Sequence, residues 1–279
     1  MIRRKDHNGF EEYVEYDSVE DLLSMQGPSE DNRTHEDAFL FTKYSGDPNY
    51  GFRGGVNDLP SYRKLVTQGW SEGVVKLKES LGDLKQSYAV KSVRRTPVWK
   101  EDGDEIEISR VYEGDLDHAW RGAVRRIGNG GQTHVKIWVA GAANSGKNPE
   151  QFFWRGACAS VLADTLEDAG YRTNIIIYTQ SRDVFEAKGG SHFASIPLKR
   201  YDEPLDLERI AAVASHVAFF RTAIFAARLS CSARVEGGMG STIYGPPSCA
   251  EPDDLVVCDI FNLQQTTEFL QKVLANFES

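Results

Sequence analysis

Gly141-Ala142-Ala143-Asn144-Ser145-Gly146-Lys147-Asn148 departs by one residue from the phosphate-loop pattern G-x-x-x-x-G-K-[ST]. In that pattern the glycines let backbone N–H groups wrap a phosphate, the lysine reaches its outer oxygens, and the hydroxyl ligates magnesium. Gly141, Gly146 and Lys147 stand in register, with Asn144 and Ser145 on the loop between them. Asn148 offers a carboxamide where the metal needs a hydroxyl. Pro149 removes one of the free N–H groups that a helix N-terminus presents to an anion. Proline is also an ordinary first residue of a helix, and 25 glycines make chance matches common. The segment therefore reads first as a strand-to-helix turn. The alternative is a divergent phosphate loop binding Mg-nucleotide, with NTPase activity as the enzymatic form. Asp259, closing the run Leu255-Val256-Val257-Cys258-Asp259, is then the acid near the metal. Asp at a strand end also caps turns and helices.

Other chemical templates do not assemble. His118, His134, His192 and His216 lack metal-ligand spacing, and no G-x-S-x-G elbow marks a serine. Gly237-Gly238-Met239-Gly240-Ser241 is a glycine-rich loop that alone specifies no ligand. Cys158, Cys231, Cys249 and Cys258 show no C-x-x-C pairing and suit reduced thiols. The chain reads as non-enzymatic, with no cofactor or metal expected outside the nucleotide alternative.

The elements that position the loop alternate strand and helix from Gln132 onward. His134 to Ala140 reads as a strand and Phe153 to Ala169 as a helix ended by Gly170. Arg172 to Gln180 reads as a strand buried on both faces. His192 to Lys199 is a strand whose Pro197 marks an edge or a strand end. Leu205 to Leu229, apolar all round, reads as a central helix. Asp254 to Ile260 is another buried strand, and Gln264 to Phe277 a closing amphipathic helix. This order predicts an α/β fold, a doubly wound and mostly parallel sheet with helices on both faces. Residues 131–279 form that domain and residues 1–130 an N-terminal helical and β extension.

In the extension, the part up to Asp47 is acidic and helix-leaning, with Ser18 capping Leu22 and Leu23. Leu59 to Leu84 carries helical periodicity that Gly69 and Gly73 divide in two. Around Asp102-Gly103, Val90 to Val111 predict a hairpin or two extended segments.

With 41% hydrophobic and 26% charged residues the composition is that of a soluble globular protein, and no stretch has the apolar length of a membrane span. A net charge of −9 argues against broad nucleic-acid binding, which draws on cationic contacts to phosphates. What remains is a protein partner, with oligomerisation open.

Two resemblances follow from these residues. Gly141 to Ser145, the helix Trp154 to Tyr171, and the turn Tyr201 to Asp206 leading to Phe220-Arg221 resemble a von Willebrand factor A domain. That family implies a metal held by D-x-S-x-S, but here glycine replaces the aspartate and only Ser145 matches, so no metal site carries over. Gln68-Gly69-Trp70-Ser71-Glu72-Gly73, Tyr112-Glu113-Gly114-Asp115 and Trp154-Arg155-Gly156-Ala157 resemble an uncharacterised family of tailed-phage proteins. That likeness implies a phage-encoded chain in the cytoplasm of an infected host or on the virion. The expected function is a protein-interaction or scaffolding module.

Overall fold

The computed structural model describes residues 1–24, 52–86, 95–100, 105–125, 134–143, 146–182, 190–229 and 241–277. Asn144, Ser145, Cys231, the Asp102-Gly103 turn and the Gly237–Gly240 loop lie outside the described residues.

β1 (Ile2–His7) and β2 (Phe10–Glu15) form an antiparallel hairpin rather than the expected helix-leaning start. The signal is Asn8-Gly9, both at positive φ (51° and 80°), the pair that a two-residue hairpin turn demands. α1 (Val19–Leu23) follows, capped by the Ser18 hydroxyl on Asp21 N. α2 (Leu59–Gln68) and α3 (Ser71–Gln86) are the predicted split helices, divided at Gly69, whose φ of 84° a side chain would strain.

β3 (Arg95–Lys100) and β4 (Glu105–Ile106) do not pair with each other. Both pair antiparallel with β5 (Trp120–Arg125), so the described part of this stretch holds two extended segments as far as Ile106, while Ile108 to Val111, expected to be extended, are helical. α4 (Ile108–Tyr112) lies between β4 and β5.

The large sheet adds β6 (His134–Ala140), β7 (Arg172–Arg182), β8 (Ser191–Lys199), β9 (Ser241–Thr242) and β10 (Leu255–Val257). Its order is β1-β2-β8-β7-β6-β10, with β9 paired to the far end of β7. β2–β8, β7–β6 and β6–β10 are parallel; β1–β2, β8–β7 and β7–β9 are antiparallel. The fold is α/β, but the sheet is mixed rather than mostly parallel. The antiparallel entry of β8 follows from its closeness in sequence to β7: the stretch from Arg182 to Ser191 is too short for the crossover that a parallel pair requires. Pro197 falls past Ser195, the last β8 residue paired to β2, and stands opposite Ile176 of β7 beside a register shift at Ile175/Ile176.

The helices also lie on one face. Buried side chains of α1, α2, α3, α5 (Pro149–Asp168), α6 (Leu207–Ser215), α7 (Val217–Arg228) and α8 (Leu263–Leu274) join one core with Ile137, Ile177 and Ile196. The opposite face carries Tyr13, Trp138, Tyr178 and Phe193, covered by Ile243, Cys249 and Ala250 from an irregular segment. This one-sided layering departs from the doubly wound sheet that the von Willebrand factor A resemblance implies.

The predicted central helix is broken. α6 and α7 meet at 55° where His216 leaves helical geometry (ψ 123°) and its Nδ1 accepts from Ala218 N at 3.1 Å. Gly156 of α5 permits the crossing, since a Cβ there would stand 2.0 Å from Ser215 Oγ. Among the described residues no single helix is long and apolar enough to cross a membrane.

Candidate functional site

The turn after β6 is held by arginines. Gly141 continues the ladder, its N–H bonding Tyr178 O at 2.7 Å, and a Cβ there would stand 2.6 Å from Ile177 Cγ2. Close packing explains this glycine without a phosphate. Arg155, on the second turn of α5, donates through Nη1 to Ala140 O at 2.5 Å and Ala142 O at 2.6 Å. Arg221 of α7 donates through Nη2 to Lys147 O at 2.7 Å and through Nη1 to Phe52 O. Burial lowers the pKa of both guanidiniums to about 10, so both stay cationic at neutral pH.

The N–H groups of Asn148 and Gln151 at the start of α5 are committed inside the chain. Asn148 Oδ1 accepts from Gln151 N at 2.9 Å while Gln151 Oε1 accepts from Asn148 N at 3.0 Å, a complete capping box. Pro149 has no N–H to give. Lys147 Nζ sits 4.0 Å from the centre of the Phe261 ring, a cation–π contact. Gly146 is exposed.

Asp259 comes to the same sheet edge, where it lines a cleft with Arg155. It follows β10 in a left-handed conformation (φ 44°) and is exposed. This small cleft, partly open to solvent, lies at the carboxyl ends of β6, β7 and β10. Arg155, Tyr178, Gln180, Tyr244, Cys258 and Asp259 line it. Ligands of open α/β sheets take such positions. Tyr178 and Gln180 fix its far wall by donating to Gly245 O at 2.7 and 3.2 Å. Burial, and then Asp259, push the Cys258 thiol up, so it stays protonated at neutral pH. Sequence reasoning passed over Arg155. The available signal was the lone basic residue of a helix whose neighbouring positions are apolar and buried.

On the helix-covered face Glu12, His192 and Ser181 stand side by side on β2, β8 and β7. An acid, an imidazole and a hydroxyl thus share a row that no linear motif announces. All three are buried. Burial, then Arg228, push the imidazole pKa down to about 3, too weak a base to take a proton near neutral pH. Among the described residues no group of three or more His, Cys, Asp or Glu is placed to hold a metal ion.

A second surface lies on the small sheet. Ile106, Ile108, Tyr112 and Leu116 are exposed within eleven residues of chain, Tyr112 at 87%. Glu107, Glu113 and Asp117 are exposed among them. Arg110 and His118 are turned onto Asp115, at 3.3 and 2.8 Å. Ile108 and Tyr112, four apart in α4, share one helix face, and the exposed acids flank these apolar residues in sequence. The only sequence trace of this surface is apolar residues without a buried partner face.

The family model described as domain of unknown function DUF7192 matches residues 9–278, and the chain belongs to that family. No curated protein and no solved structure matches it.

Proposed function

We propose that this DUF7192 member is a non-enzymatic protein-interaction module whose docking face is the stripe Ile106, Ile108, Tyr112 and Leu116. The carrying observation is the exposure of these four side chains on a unit apart from the main core. A soluble protein seldom leaves so many large apolar groups together without a partner. The partner is a different protein presenting apolar side chains flanked by lysine or arginine. Acids along the stripe favour that charge, and on a chain of net charge −9 they disfavour a second copy. The setting proposed with it is phage infection, in the host cytoplasm or on the virion.

This reading stands on the stripe and not on likeness to von Willebrand factor A domains. The committed N–H groups at Asn148 and Gln151, and Lys147 on Phe261, weigh against the Mg-nucleotide alternative. Calorimetry with ATP or GTP and magnesium should return no saturable heat from wild type or Lys147→Ala.

The direct test places a photo-crosslinking residue at position 112 of the full chain in infected cells. A discrete, salt-sensitive adduct to another protein is expected, and Ile108→Asp with Leu116→Asp should remove it. An adduct that survives both substitutions, or one formed only between copies of this chain, overturns the proposal.

A further inference from the structure

Arg155 uses only one side of its guanidinium. Nη1 serves the two carbonyls at the end of β6, while Nε and Nη2 are buried and have no hydrogen-bond partner among the described residues. These two N–H groups form the parallel edge that grips a carboxylate or phosphate side-on. The side chain is only 1% exposed, so bulk water does not serve the empty edge. Leaving buried charged donors unmet is unfavourable, and the two carbonyls alone do not require a cation. Phe152 and Phe261 flank the guanidinium at 4.9 and 5.2 Å and limit its motion.

Arg155 also lines the cleft at the carboxyl edge of the sheet. The closed part of that cleft has room for about one water-sized group, and the remainder opens to solvent. Asp259, exposed at the rim, is the acid that faces the cleft and acts on Arg155 through space.

We propose that this cleft receives the oxyanion terminus of a small molecule, held side-on by Nε and Nη2 of Arg155 while the body of the molecule stays at the open rim. Carboxylate and phosphoryl termini share the required geometry. Asp259 repels either and sets how weakly the site holds a simple anion.

The experiment is calorimetric titration of the full chain at low salt with two probe series. One is inorganic phosphate and phenyl phosphate; the other is acetate and benzoate. One series should saturate at one site per chain, which identifies the source. Arg155→Lys replaces the fork by a point charge and should weaken binding by about tenfold or more. Because Arg155 also holds β6, a second variant is needed that does not risk the fold. Asp259→Asn removes only a rim charge and should strengthen binding by about two- to fivefold at low salt, less as salt rises. The proposal is overturned if neither series saturates on wild type or on Asp259→Asn. It is equally overturned if binding is indifferent to the charge at 259 or survives Arg155→Lys at full strength.

Discussion

The large sheet and the small sheet of this protein solve the same problem in opposite ways. The large sheet buries one face under seven helices and the other under an irregular segment, and its central strands are nearly fully covered. The small sheet, β3-β5-β4 with α4, packs chiefly on itself. Among its described side chains Ala119 is the fully buried apolar one, while Ile108, Tyr112 and Leu116 face solvent. A small sheet of three strands is marginal on its own. Under the proposed function these exposed apolar side chains are the docking face.

Acid should break the comparison most widely. Burial holds His192 near a pKa of about 3 and His216 near about 4, both in the large body. The unfolded chain takes up these protons below about 6.5, so folded stability is complete above that pH and is lost as pH falls. The loss should be on the order of 3–5 kcal/mol by about pH 4.5. Hydrogen exchange should show it as failing protection in β7 and β8. Equal failure in β3 and β5 would mean that the two sheets unfold as one.

Next in size is Gly156→Ala, which drives a methyl into Ser215 at the α5–α6 crossing. It should cost about 2–3 kcal/mol, read from the midpoint of urea unfolding. Asn148→Ala deletes the α5 capping box for about 1 kcal/mol. If Asn148→Ala also created nucleotide binding by freeing N–H groups, the turn after β6 would be a masked phosphate loop. The smallest effect belongs to the small sheet. Ile108→Asp should change stability by less than about 0.5 kcal/mol while abolishing the crosslink at position 112. A large loss of stability there would make the stripe part of a core.

The periodic parts of this fold were legible in the sequence. β6, β7, α5 and α8 follow their hydrophobic patterns, and Gly170 ends α5 at φ 96° as expected. Asn8-Gly9 announced the first hairpin, but Arg3, Arg4, Lys5, Glu11 and Glu12 around it obscured the alternation. Strand direction was misread from the strand–helix alternation, because the stretch between β7 and β8 is too short for a parallel crossover and β8 enters antiparallel. The loop was found in sequence and its surroundings were not. Arg155 and Arg221 reach it from helices that linear spacing does not connect to it, and Lys147 turns to Phe261, more than a hundred residues away.

The register that pairs Glu12 with His192 has a consequence for synthesis. At roughly 5–20 residues per second, β2 leaves the ribosome about ten to forty seconds before its partner strand exists. Through that interval the hairpin carries a bare edge that another chain could extend. Its dense charge then acts as protection during growth, keeping nascent chains apart until β8 arrives to close the sheet.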